Sequence, residues 1–354
     1  MQLQAESLPS YLERVCSTTS NGNKDNNNNK VNDEAIQELK ESLLAAADAC
    51  AMIATELARL PLTEASIGAR AGQTNVQGEE QKGMDVVSNE IFCDRLRPVV
   101  AALASEEEEA VVYGSGRHYE IAFDPLDGSS NLDISVPTGT IFGIAPHNAE
   151  APFSTSGRHL VAAGYTVYSS STELVISLGD EAVGFTLDPS LLSSTTSSST
   201  TPFPNADAFL LSRPEIQCPT FGPYYSLNEA REPDWPDGLR RWIHDAKLGQ
   251  TASGAKYSSR YVCSLCADVH RTLLKGGWAG NPRPHLRLLY EAAPLAFVTE
   301  AAGGRGSDGV RELLDIVPTG LHDRVCVFLG GKGDVGDLVE GYGNVQQGAQ
   351  TYKA

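Results

Sequence analysis

The chain has 354 residues, 41% hydrophobic and 20% charged, enough to bury a large core in two closely joined domains. With 27 basic against 45 acidic residues, its net charge of −18 excludes nucleic acid and anionic membrane as main partners. A small anionic substrate is still allowed in a cleft where arginines or metal ions reverse the field. No apolar run reaches membrane-span length, and the opening MQLQAESLPSYLERV lacks the layout of a secretory signal or a transit peptide. The expectation is a soluble cytoplasmic protein, or a plastid stromal one whose leader is missing.

Residues 1–33 read as a poorly ordered tail, dominated by the Asn-rich tract SNGNKDNNNNK at 20–30. After Asn32 or Asp33, Ile36, Leu39, Leu43, Leu44, Ala47, Ile53 and Leu57 recur at helical steps until Pro61. Met84, Val87, Ile91 and Phe92 share a face of a second helix that ends before Pro98. Strand-like runs follow at 99–103, 119–123, 140–144, 160–168 and 173–178, then a Ser/Thr-rich loop at 193–203. Helical patterns resume at 239–246, 267–274 and 286–301, with strands near 313–317 and 325–329. Alternating helices and strands predict a layered α/β protein, divided into domains at 34–207 and 208–354.

Seven cysteines are scattered along the chain, and Cys263-Ser-Leu-Cys266 is their one close pair. Without a second pair or nearby histidines it does not point to zinc and reads as two reduced thiols near the core, with a redox role as the alternative. Three acidic clusters stand out: Glu79-Glu80 with Asp85, Glu106-Glu107 in SEEEE, and Asp124 with Asp127 in FDPLDGSSNLD. The second and third follow apolar runs, where α/β enzymes place chemistry at strand ends. Glu108-Glu109 reads as a solvated loop. In the third cluster Pro125 stiffens the turn, Gly128 admits a close ligand, and the amides of Gly128, Ser129 and Ser130 suit an anion. Carboxylates beside such amides suit Mg²⁺ or Mn²⁺ bridged to a phosphate.

FDPLDGSSNLD resembles the signature of the fructose-1,6-bisphosphatases. NVQGEEQKGMDVVSNEIF, SEEEE, PTGTIFGI, LVAAGYTVYSSS, GFTLDPSL, YSLNEA, SSRYVCSLCADVHRTLLKGG and LRLLYEAAPLAFVTEAAGG resemble family blocks in family order, from about residue 34 to about 338. GRGSDG with LLDIVPTGLHDRV is more similar to the plastid-type branch. The resemblance implies a five-layer α-β-α-β-α sandwich, a homotetramer or at least a dimer, and Mg²⁺-dependent removal of the 1-phosphate of fructose 1,6-bisphosphate. It implies two or three divalent cations held by Glu106, Glu107, Asp124, Asp127, Glu291 and the Leu126 carbonyl. Glu107 and Asp85 would activate water, Glu79 would sit on a closing loop, and Arg287 with the Gly128 and Ser129 amides would grip the reacting phosphoryl group. Asn228, Arg260 and Tyr261 would bind the distal phosphate, Arg260 in the neighbouring subunit. A lone Glu291 on an apolar helix is otherwise a paired side chain, and Arg260 and Tyr261 otherwise interface packing. Asn131, Asp133, Asp268, His270 and Arg271 read as structural.

The chain departs from the family in several places. WAGNPRPH at 278–285 is shorter than the family loop, putting Asn281 and His285 where the family has Tyr and Lys, and Arg231 replaces another Tyr. Lys to His removes a fixed charge from the substrate pocket. APHNAEAPFSTSGRH carries no regulatory cysteine, so thiol switching there is not expected, and residues 1–33 match no AMP-binding segment. The alternatives are sedoheptulose 1,7-bisphosphatase activity, an inositol-monophosphatase-like enzyme, or a non-catalytic sugar-phosphate-binding protein.

Overall fold

The computed structural model describes residues 5–19, 28–67, 73–74, 80–81, 83–192 and 202–347. Helices α1 (Leu8–Thr19) and α2 (Asn28–Ile67) lead to a ribbon of β1 (Gln73–Thr74) and β2 (Glu80–Gln81), then α3 (Gly83–Leu96). One sheet contains β3 (Ala102–Ser105), β4 (Val112–Tyr113), β5 (Tyr119–Asp127), β6 (Thr138–Pro146) and β7 (Ala162–Tyr168). It is completed by β8 (Thr172–Ser177), β9 (Ala182–Leu187) and β10 (Phe209–Ile216), and its order is β10-β9-β8-β7-β6-β5-β3-β4. The second half comprises β11 (Tyr224–Ser226), α4 (Asp237–Leu248), β12 (Ser258–Ser259), α5 (Leu265–Lys275) and β13 (Trp278–Arg287). It continues with α6 (Ala293–Ala301), β14 (Arg305–Ser307), β15 (Arg324–Gly330) and α7 (Lys332–Gly336), and its sheet runs β12-β11-β13-β15-β14.

The central strands carry apolar side chains on both faces, so each sheet needs cover on two sides. In β7, Ala162 and Tyr168 join the core with α1, α2 and α3, whereas Ala163, Tyr165 and Val167 join the opposite one. That opposite core takes Val269 and Leu273 of α5, Leu295 and Val298 of α6, and Ala279, Val327 and Leu329 of the second sheet. The far face of the second sheet, Tyr225, Trp278 and Phe328, packs on Leu239, Trp242 and Ile243 of α4. The layers are therefore α-β-α-β-α, the sandwich expected from the resemblance.

Several expectations are corrected. Residues 8–19 are not tail: Leu8, Tyr11 and Leu12 are buried, and the Tyr11 ring meets Phe185 edge-on at 5.4 Å. Residues 20–27 and 193–201 lie outside the described residues, as does most of both low-complexity tracts. Helix α2 starts at Asn28 and continues through Pro61 to Ile67. In the run at 99–103 the strand begins only at Ala102, as β3, and Leu313–Asp315 is a 3-10 turn rather than a strand. Residues 286–287 still belong to β13, which a π-helical turn, Leu288–Ala292, joins to α6. Strand β10 pairs with β9, so the first sheet extends past the boundary expected at 207 and closes at Ile216.

Candidate active site

Strands β3 and β5 lie parallel, with Ser105 beside Phe123, so the chain leaves both at the same edge of the sheet. Glu106 and Glu107 follow β3, while Asp124 and Asp127 close β5. Three residues apart, the two aspartates of a regular strand would face opposite sides. Here the β5–β6 register slips between Asp124, opposite Ile141, and Asp127, opposite Gly139. The resulting bulge re-aims the strand end, and both side chains border one cavity of about 450 Å³. Thr140 Oγ1 holds the bulge by donating to the Pro125 carbonyl at 2.8 Å, and Asp124 Oδ1 accepts from the Leu126 amide at 2.9 Å.

The other wall comes from the second half. Asp127 accepts from the Leu265 and Cys266 amides at 3.1 and 2.9 Å and from Ser264 Oγ at 2.6 Å, so it sits on the first turn of α5. Gly128 (φ 75°) makes that approach possible, because a Cβ there would lie 2.9 Å from Ser264 Cβ. Glu291 lies on the π turn, a form frequent at functional sites, and its Oε2 accepts from the Arg287 amide at 2.5 Å. The Arg287 guanidinium pairs with Glu106 at 3.1 Å.

Carboxylate oxygens of Asp124, Asp127 and Glu291, all buried, lie within 4.8 Å of one another. Burial first, then the charge of Glu106, pushes the Asp124 carboxyl well above its ordinary range. Burial also raises Asp127, against the hydrogen bonds from Ser264, Cys266 and Leu265. Glu291 is pushed up to about 8, again by burial and then by Glu106. So many acids so close are stable as anions only beside a cation, and an all-oxygen donor set suits a hard divalent ion. The residues present therefore fit the expected metal.

Asp85, Glu107, Leu126, Gly128, Ser129, Ser130, Tyr261, His285 and Arg287 border the same cavity as Glu106 and the three clustered acids. Asp85 is placed by the first turn of α3. Glu79 lies outside the described residues. Asn228 lies instead in an adjoining pocket of about 50 Å³. Arg260 borders neither: its guanidinium donates to its own Ser259 carbonyl at 2.7 Å and covers the Tyr224 ring at 5.4 Å. Asn131 donates to the Pro137 and Val262 carbonyls, both at 3.1 Å, while Asp268 binds the Val262 amide and Arg271. His270 meets the Tyr165 hydroxyl at 3.0 Å.

Two readings change. Glu108 is not a solvated bystander, because its Oε1 accepts from Asn89 Nδ2 at 2.8 Å. Asn89 Oδ1 in turn accepts from Ser105 Oγ, which accepts from the Glu107 amide, so α3 sets the Glu107 backbone. Sequence reasoning missed Asn89, and a buried Asn in the run VVSNEIF was its signal. Of the cysteine pair, Cys266 is buried, but Cys263 is exposed at the cavity rim with φ 64°, where Tyr261 donates to its sulfur.

Two stacked sheets that share a carboxylate-walled cavity with an arginine among the acids define a phosphatase-type α/β sandwich. The fructose-1-6-bisphosphatase N-terminal domain matches residues 24–196 and the C-terminal domain residues 218–342. The chloroplastic fructose-1,6-bisphosphatase of Brassica napus is 40% identical over 335 residues, covering 86% of this chain and 77% of that one. A class 1 fructose-1,6-bisphosphatase of Persephonella marina is 40% identical, covering 85% of this chain and 91% of its own. The holo crystal structure of Leishmania major fructose-1,6-bisphosphatase superposes with a TM-score of 0.79 at 30% identity, covering 96% of this chain and 98% of that one. The chain belongs to the fructose-1,6-bisphosphatase family, and it is an enzyme of the phosphatase class.

Proposed function

We propose that the chain hydrolyses the 1-phosphate of fructose 1,6-bisphosphate, releasing fructose 6-phosphate and phosphate, with Mg²⁺ or Mn²⁺ as cofactor. The observation that carries this reading is the convergence of Asp124 and Asp127 from the first half with Glu291 from the second. These three, with Glu106, Glu107 and the Leu126 carbonyl, are the groups that would hold two or three ions. Bound there, the metal supplies charge neutralisation and Lewis-acid polarisation of phosphoryl oxygens.

The chain's own residues have separate tasks. Arg287 and the amides of Gly128 and Ser129 hold the phosphoryl group, with Ser130 beside them, where a planar guanidinium suits phosphate oxygens. Glu107 and Asp85 take the proton of the attacking water. Tyr261, Asn228 and His285 contact the sugar end. We propose that it assembles as a homotetramer, at least a dimer, in the cytoplasm or the plastid stroma. Among the described residues no helix is long and apolar enough to cross a membrane.

The test is phosphate release from the purified protein with Mg²⁺, for wild type and Glu107→Gln. The variant is expected to keep substrate binding and lose about 10²–10⁴-fold in kcat. Near-normal turnover in the variant overturns the base assignment, and no turnover on any sugar bisphosphate overturns the phosphatase reading. The bulged 282–285 segment favours a second reading, sedoheptulose 1,7-bisphosphate as a shared or preferred substrate. Comparing kcat/KM for the two sugars separates them.

A further inference from the structure

Residues 313–325, LLDIVPTGLHDRV, supply none of the groups that would hold metal or phosphate, yet their turn at 319–323 supports the site from behind. The turn folds on its own aspartate. Asp323 Oδ2 accepts from the Thr319 amide at 2.6 Å, from Thr319 Oγ1 at 2.8 Å and from the Gly320 amide at 3.2 Å. A carboxylate satisfied by local donors closes the turn and fixes the direction of its neighbour, His322.

Two bonds join this turn to the π turn Leu288–Ala292, which carries Glu291. The Asp323 carbonyl accepts from the Leu288 amide at 2.8 Å. His322 Nδ1 bonds the Tyr290 hydroxyl at 2.8 Å, and the two rings meet edge-on with centroids 5.9 Å apart. Tyr290 is fully buried among Ala102 and Ala104 of β3, Ala122 of β5 and Phe153. Its ring therefore lies against the strands that lead to Glu106 and Asp124, while Glu291, the next residue along, borders the cavity. His322 also faces the other acidic turn: burial pushes its pKa down, but the main chain of Glu109 and Glu108 favours its protonated form.

Packing alone would be served by phenylalanine at 290, whereas a buried hydroxyl needs its partner. A buried carboxylate crowded by others is repelled from the cluster until a cation arrives, so holding Glu291 in place takes bonds made outside the cluster. We infer that Tyr290 and His322 are positioning residues: His322 pins the Tyr290 hydroxyl and thereby fixes Glu291, on the π turn, against the Glu106-Glu107 turn for metal binding. This rests on the metal-dependent reading and deepens it, and neither residue touches ion or substrate. Ligands ordered before the ion arrives bind it more tightly, because less freedom is lost on binding.

Mn²⁺ alone is the probe, titrated by calorimetry into chelator-treated wild type, Tyr290→Phe, His322→Ala, His322→Asn and the double variant Tyr290→Phe/His322→Ala. Tyr290→Phe and His322→Ala are each expected to raise the Mn²⁺ Kd about fivefold or more, the worth of one buried hydrogen bond. His322→Asn, whose amide can serve the Tyr290 hydroxyl from the Nδ1 position, is expected to lie closer to wild type than His322→Ala. The double variant is expected to lose no more than His322→Ala alone, because both changes break the same bond. With fructose 1,6-bisphosphate, half-saturating Mg²⁺ should rise in step with Kd while kcat at saturating Mg²⁺ stays within about threefold of wild type. A metal-free Tm that falls while Kd is unchanged shows a role in folding alone and overturns the inference. Additive losses in the double variant, or His322→Asn no better than His322→Ala, overturn it too. Wild type that binds Mn²⁺ in this His322-dependent way yet releases no phosphate upholds the positioning role and overturns the catalytic reading alone. Wild type that binds no Mn²⁺ overturns both.

Discussion

Replacing Glu291 by Gln should make the metal-free protein more stable at alkaline pH while removing most of its response to Mg²⁺. Glu291 is buried, beside Asp124, Asp127 and Glu106, and its carboxyl is pushed from 4.5 up to about 8. A carboxyl that titrates higher folded than unfolded binds its proton more tightly in the native state. Its stabilisation is complete below about pH 4.5 and is lost as the pH rises through about 8. At about 1.36 kcal/mol per pH unit, the gap between those values is worth about 5 kcal/mol. Glutamine keeps an oxygen for the Arg287 amide and carries no charge to desolvate, so the variant escapes that loss. Melting curves of chelator-treated protein at about pH 5 and about pH 9, with and without Mg²⁺, read both effects. Wild type should gain far more from Mg²⁺ at the higher pH. A variant whose metal-free stability follows wild type across this range, or which gains as much from Mg²⁺, refutes the account of the cluster.

Gly128→Ala forces an L side chain to φ 75° and places its Cβ 2.9 Å from Ser264 Cβ. A loss of about 1–3 kcal/mol in urea melts is expected, together with weaker substrate binding. An unchanged midpoint would show that the turn relaxes without effort. Leu12→Ala should destabilise by about 2–5 kcal/mol, because Leu12 is fully buried against the first sheet's helical layer. If α1 were a dispensable tail, chemical denaturation would not detect the change.

The local part of the site was legible because its signals are local. Asp124, Asp127, Gly128 and the serines fall within one short motif, and their chemistry follows from residue type. What could not be read was how they face one another, since a regular β5 would separate the two aspartates and the slip against β6 brings them together. Likewise, Ser264 and the amides of α5 meet Asp127 from 137 or more positions away. The apolar run at 286–301 hid two switches, from strand to π turn to helix, because periodicity does not distinguish a buried strand end from a buried helix. In α1, Leu8, Tyr11, Leu12 and Val15 do keep helical spacing, but the asparagine tract behind them made the segment read as unstructured. Proline at 61 is a weak stop where the helix simply runs on to Ile67.

The carboxylates that would grip an ion are divided between the protein's two halves, and Asp127 in addition closes the end of a helix belonging to the opposite half. A cation seated among them is thus a clasp as much as a reagent. Parting the sheets and letting the ion escape become one event, so neither half expressed by itself should retain the whole protein's grip on metal.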